Sequence, residues 1–194
     1  EKVSSATIEM KSLSAYCNHT PKEDSPIFIS SPKRAGGDLR LFVGDSWGAK
    51  QTRDDFDFIV DGGDVLNVRR NNTILEGDSK LVESLKEYMV STPTTRLLKI
   101  DWDDRQAPDV VPQFWTELNA QIAGDVLTCC QGGHGRSGTA FVCLLLNNAP
   151  DYDALDAIVH LRAIHCPRAI ESKVQHQYIN DVATYLERKA NALD

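Results

Sequence analysis

Residues 126–138 read Val126-Leu127-Thr128-Cys129-Cys130-Gln131-Gly132-Gly133-His134-Gly135-Arg136-Ser137-Gly138, and an almost wholly apolar run follows at 139–146. A strand-like segment, a glycine-rich loop and a buried helix thus succeed one another. Three glycines let the loop adopt the positive φ that turns successive N–H groups inward, which makes a concave anion-binding nest. The loop runs into a helix N-terminus, whose dipole and free N–H groups favour negative charge. The same surroundings stabilise a thiolate, so Cys130 is the candidate nucleophile. Arg136 presents a planar fork that can hold two oxygens of one phosphate, and Ser137 can donate a hydrogen bond to the sulfur. Gln131, Gly132, Gly133, His134, Gly135 and Arg136 are therefore the expected phosphate-binding residues.

Working outward, residues 39–43 and 56–60 read as strands, ended by Gly44-Asp45 and Asp61-Gly62-Gly63. Leu81, Val82, Leu85, Tyr88 and Met89 recur at helical spacing after a cap at Asp78 or Ser79. Residues 97–100 form a short strand. Apolar positions 110, 111, 114, 115, 118 and 122 mark one helical face, and 126–129 is a short central strand. Downstream, Asp151 caps a helix over 152–164 with Leu155, Ile158, Val159 and Leu161 inward. Pro167 interrupts, and a last helix runs from about Ser172 to Lys189. Strands interleaved with helices predict an α/β layer architecture. Residues 1–36, rich in Ser, Thr, Lys and Pro, read as an extension packed on the main domain, with an edge strand at Ile27-Phe28-Ile29. Gly36-Gly37 marks the boundary, and the main domain spans 37–192.

The chain has 194 residues, with Lys+Arg 21 against Asp+Glu 28, a net charge of −7. An acidic balance argues against a general nucleic-acid or anionic-membrane binder, because both need a dominant positive field. No apolar run approaches the ~18 residues of a membrane span. The five cysteines include no C-x-x-C pair, which points to a reducing, cytoplasmic setting rather than a disulfide framework. Oligomeric state is not legible.

Cys-x5-Arg-Ser after a strand is the signature of the protein tyrosine phosphatase superfamily, and residues 37 to about 190 resemble that family. The resemblance implies a central mixed sheet flanked by helices, with the phosphate loop between a central strand and a helix. Leu41-Phe42-Val43-Gly44-Asp45 with Phe56-Asp57-Phe58-Ile59-Val60 looks like the start of a dual-specificity-type domain. The double glycine followed by x-Gly-Arg-Ser is most similar to the kinase-associated phosphatase subgroup. Trp102-Asp103-Asp104-Arg105-Gln106-Ala107-Pro108 resembles the family's Trp-Pro-Asp loop and aligns Asp104 as general acid. Asp103 then occupies the position of the family's Pro. Asp103 and Asp101 are the rival acids, Asp101 reading better as solvated surface. Ala169-Ile170-Glu171-Ser172 with Gln175 and Tyr178 resembles the segment whose Gln places the hydrolytic water. Gln175 fits best, with Gln177 as runner-up.

The chain departs from the pattern at Cys129, where the family usually has His. Cys129 reads as a small buried strand residue, the alternative being a vicinal disulfide with Cys130. His134 reads as a rim residue, at a position where lipid phosphatases of the superfamily carry a basic side chain. No tyrosine recognition loop is evident around Asn67-Val68-Arg69-Arg70-Asn71. His160, His165, Cys166 and His176 fit no zinc spacing and read as core or surface residues. No metal or cofactor is called for, since Arg136 and the nest supply the positive charge. The resemblance implies a hydrolase of phosphorylated tyrosine, serine or threonine in proteins. The alternatives are a phosphatase of lipids, nucleotides or other small molecules, or a phospho-binding module without catalysis. The intact Cys130, Arg136 and Asp104 argue against the last.

Overall fold

Along the central strands alternate side chains face opposite layers, and that period of two organises the molecule. The computed structural model describes residues 12–13, 28–29, 39–66, 89–91, 96–100 and 102–192. One sheet contains β1 (Ser12–Leu13), β2 (Phe28–Ile29), β3 (Leu39–Gly44), β4 (Phe58–Asp61), β5 (Met89–Ser91), β6 (Arg96–Lys99) and β7 (Gly124–Cys129). The order is β1-β3-β7-β4-β6-β5, and β2 also pairs with β3. β3, β7, β4 and β6 run parallel, as does β1 on β3. β2 and β5 are antiparallel to their neighbours. The sheet is therefore mixed with a parallel centre, and β7, last in sequence, lies between β3 and β4.

The helices among the described residues are α1 (Ser46–Thr52), α2 (Gln113–Gln121), α3 (Arg136–Asn148), α4 (Ala154–Ile164) and α5 (Lys173–Asn191). Leu41, Val43, Phe58, Val60, Leu98 and Val126 join the core that includes Trp115, Phe141, Leu161 and Ile179 of α2 to α5. Phe42, Ile59, Leu97, Leu127 and Cys129 face the other way, with Ala49, Phe56, Val65 and Leu66. α3 is buried continuously from Ser137 to Leu146, as its apolar sequence requires. The result is the α/β fold with a central mixed sheet flanked by helices. None of the helices among the described residues is long and apolar enough to cross a membrane.

Several local expectations are corrected. α2 starts at Gln113 behind Pro112 rather than at 110, a position where a residue without an N–H costs nothing. Asp153, not Asp151, caps α4 by accepting from the Asp156 N–H. Ala154, Ala157, Ile158 and Leu161 then form its buried stripe, which leaves Leu155 and Val159, expected inward, 64% and 55% exposed. Met89, expected in a helix, lies in β5, and the rest of that predicted helix lies outside the described residues. α1 was not foreseen. Asp45 caps it, accepting from the Gly48 N–H at 2.7 Å. α5 starts at a capping box in which Ser172 and Gln175 each bind the other's backbone N–H.

Candidate active site

Three parallel strands end together: β3 at Gly44, β4 at Asp61 and β7 at Cys129. In open α/β sheets ligands bind outside such carboxyl ends where strand order switches. The loop 130–135 starts there and feeds α3. The carbonyl of Cys129 just before it and those of Gln131, Gly133, His134 and Gly135 within it are each held by a neighbouring segment. The Gly62 N–H donates to Cys129 O at 2.8 Å, Ser46 N–H to Gln131 O at 3.3 Å, and Ile170 N–H to His134 O at 3.3 Å. His165 Nε2 lies 2.7 Å from Gly133 O. Thr139 binds Gly135 O through both N–H and Oγ1. A trans peptide sets N–H opposite to C=O. The N–H groups of Cys130, Gly132, His134, Gly135 and Arg136 therefore point away from the groups that hold the preceding carbonyls. No side chain caps α3 at Gly135, so its first N–H groups remain available to an anion.

Gly133 is required by two features at once. Its φ is +75°, and a Cβ there would lie 3.0 Å from both Gly44 C and Asp45 N.

Cys130 is 3% exposed, and its Sγ–H donates to Ser137 Oγ at 3.3 Å. With the sulfur ionised the hydroxyl becomes the donor, as expected for Ser137. The Arg136 side chain is 13% exposed. Its Nη1–H donates to Trp102 O at 3.1 Å. Its Nε is fully buried and makes no hydrogen bond among the described residues. Asp104 Oδ1 stands 3.6 Å from that Nε, an ion-pair separation longer than a hydrogen bond.

Asp104 is 67% exposed on a loop anchored at both ends. The Trp102 indole N–H donates to Gln106 O at 3.0 Å, and Ser172 Oγ–H donates to Arg105 O at 2.6 Å. Arg105 has φ +61°. Asp103 is exposed and its carbonyl accepts from the Gln106 N–H, while Asp101 lies outside the described residues. Gln175, fully buried, spans the two loops. Its Nε2–H donates to Gln106 O at 3.4 Å, and a Cβ on Gly135 would lie 2.9 Å from that same nitrogen. Its Oε1 accepts from the Glu171 and Ser172 N–H groups. The runner-up Gln177 instead donates to Asp181 on the exposed side of α5. Cys130, Arg136, Ser137, Asp104 and Gln175 are thus brought together.

Gln131 is exposed at the rim, and His134 is half-buried with its ring centroid 6.0 Å from that of His165. Cys129 is fully buried on the opposite sheet face. Burial, then the negative charge of Asp61, Cys130 and Asp45, pushes its thiol well above the usual range. It stays protonated, and Cys129 and Cys130 are both free thiols. Asp61 accepts N–H bonds from Gly63, Val65 and Leu66, although burial still raises its pKa. His160 stacks edge-on against Tyr152, and His176 meets Arg162. His165 is the residue at this site that spacing did not reveal.

No family model matches the sequence, and the curated proteins give no match. Solved structures do match. Tk-PTP in its active form is 20% identical with a TM-score of 0.52, over 81% of this chain and 95% of that one. Kinase-associated phosphatase is 16% identical with a TM-score of 0.51, over 78% and 88%. A mouse putative dual specificity phosphatase is 15% identical with a TM-score of 0.51, over 77% and 86%. At these identities the likeness is one of fold: the chain has the fold of the cysteine-based phosphatases. The kinase-associated enzyme, toward which the loop sequence pointed, stands no nearer than the other two.

Proposed function

We propose that the chain is a cysteine-dependent phosphatase of dual-specificity type, acting on phosphotyrosine, phosphoserine or phosphothreonine in proteins. The supporting observation is the Arg136 Nε, buried with no hydrogen bond among the described residues and only the longer Asp104 ion-pair contact at 3.6 Å, set beside a loop whose carbonyls are engaged by neighbouring segments. A buried donor left unpaired is costly, and a dianionic phosphoryl group in the loop would satisfy it.

Cys130 loses its proton to solvent, and the thiolate attacks phosphorus in line while the phosphorus–oxygen bond to the leaving group breaks. The loop N–H groups and the Arg136 fork hold the three equatorial oxygens, where the transition-state charge lies. Asp104 gives its proton to the departing oxygen. Water then attacks the cysteinyl-phosphate and gives one of its protons to the Asp104 carboxylate. The sulfur–phosphorus bond breaks, and Ser137 stabilises the returning thiolate. Gln175, anchored beneath both loops, positions the water. Residues 1–36 serve as an extension that adds β1 and β2 to the edge of β3. The cysteine pattern supports a reducing, cytoplasmic setting.

A substrate panel tests the reading: phosphotyrosine and phosphoserine peptides, phosphoinositides and nucleotides. Turnover of the peptides is expected. Turnover confined to lipids or nucleotides would move the substrate class. Vanadate binding with no hydrolysis of any ester would leave a binding module and sink the enzymatic reading.

A further inference from the structure

Most of the outward-held loop carbonyls are fixed by backbone N–H groups of neighbouring segments, from Gly62, Ser46 and Ile170, or by the first turn of α3. Gly133 O is different. Its partner is a side chain, His165, at the C-terminal cap of α4, 2.7 Å away and 32 residues distant in sequence. A carbonyl only accepts, so the proton of this contact must reside on Nε2, which fixes the ring tautomer. His165 is buried, and desolvation pushes its pKa down to about 4. The ring is therefore neutral near pH 7 and acts there as a donor. Gly133 itself sits at positive φ against Gly44 and Asp45, so the orientation of its following peptide depends on what its oxygen binds.

We infer that His165 is a positioning residue of the phosphate loop: its Nε2–H holds the Gly133–His134 peptide with the oxygen outward, so that the His134 N–H faces the bound oxyanion. This rests on reading loop 130–136 as phosphate-binding. His165 does not touch the ligand. It acts through one amide, and the loss of that amide's aim appears in the transition state, where oxyanion contacts are strongest.

His165→Phe keeps the bulk and removes the donor, while His165→Gln returns an N–H at similar reach. Losing an oxyanion donor outright costs about 10²–10³-fold, so a mis-aimed one in His165→Phe should cost roughly 10- to 100-fold in kcat/KM for an aryl phosphate, with vanadate affinity falling in parallel and His165→Gln recovering to within about threefold. Circular dichroism and melting temperature check that both variants fold. A second measurement needs no variant: in the ¹⁵N-labelled wild-type chain the His165 Nε2–H resonance should shift with vanadate at the same midpoint as the His134 amide. A resonance that stays put while vanadate saturates the loop overturns the inference. So does a folded His165→Phe with wild-type vanadate affinity, or a folded His165→Gln no better than Phe. A wild-type chain that binds vanadate but hydrolyses nothing breaks the functional reading alone, because the vanadate arms still decide the role of His165.

Discussion

Residues 130–135 and 103–107 are short loops at the same edge of the sheet, following β7 and β6, yet they are held by different means. The first buries Cys130, Gly133 and Gly135 and is fastened through the backbone carbonyls of Gln131, Gly133, His134 and Gly135. The second exposes residues 103–106 and is tied by side chains: the Trp102 indole, the Ser172 hydroxyl, the Gln175 amide and the Arg136 guanidinium. Groups that stabilise developing charge work best when fixed in advance, whereas a group that must admit substrate and then deliver a proton needs detachable moorings. Two of those moorings come from the N-terminal end of α5 and one from the phosphate loop's own arginine. The arginine that follows loop 130–135 is thereby tied directly to the start of loop 103–107.

The contrast predicts graded effects. Cys130→Ser, nearly isosteric in a buried position, should leave the fold intact and lower turnover of every substrate by roughly 10⁴-fold or more, since hydroxyl cannot replace the thiolate here. Comparable turnover in that variant would end the covalent mechanism. Asp104→Asn should slow a phosphotyrosine peptide by about 10²–10⁴-fold and an activated aryl phosphate much less, because only the poorer leaving group needs the proton. If Asp103→Asn shows that dependence instead, the acid loop is misaligned by one residue. Arg136→Lys should cost roughly 10²–10³-fold on all substrates alike, because an ammonium cannot span two oxygens. A leaving-group dependence there would blur the division between the two loops.

Smaller effects test the moorings. Ser172 both caps α5 and donates to Arg105 O. Ser172→Ala should cost about 1 kcal/mol of stability through the lost cap, together with a modest loss in turnover of poor leaving groups. Ser172→Asp keeps the cap but not the donated O–H, so it should recover melting temperature without recovering rate. Recovery of both would mean that the tether to Arg105 is idle.

The smallest effect is on pH. The His165 pKa is depressed from 6.5 to about 4 by burial. A depressed folded-state pKa contributes stability that is present above the unfolded value and is lost as pH falls toward the folded one. Stability should therefore drop by about 1 kcal/mol between pH 7 and pH 5.5 and further toward pH 4. Urea titrations across that window would measure it, and His165→Gln should lack this component.

The strand, loop and helix around residues 130–136 were legible because the pattern is local. Cys130, the glycines and Arg136 lie within seven consecutive residues, between an apolar strand and an apolar helix. Asp104 and Gln175 could be aligned only through a resemblance, but the structure sets both beside Arg136 or Gly135. His165 was hidden because its partner is 32 residues away, in a segment without periodicity. In α4 the large residues Leu155 and Val159 out-weighed the small Ala154 and Ala157 in a reading by hydrophobicity. The packed helix chose the alanines, which let it lie close to its neighbours. Met89 was misplaced because a short apolar stretch fits both periodicities.

The position of β7 has a consequence for how the molecule comes into being. β3 and β4 do not pair with each other; they are joined only through β7, a strand made much later. The Arg40–Asp125 contact closes 85 residues of chain, and the Asp57–Asp125 contact closes 68. At a synthesis rate of roughly 5–20 residues per second, β3 and β4 each lack their shared central partner for several seconds, although β1 and β2 can already lie on β3 and β6 on β4. Distant pairings of this kind make folding slow. The strand that completes the sheet also leads directly into Cys130, so nascent chains interrupted before residue 130 have neither a finished scaffold nor the loop that follows it.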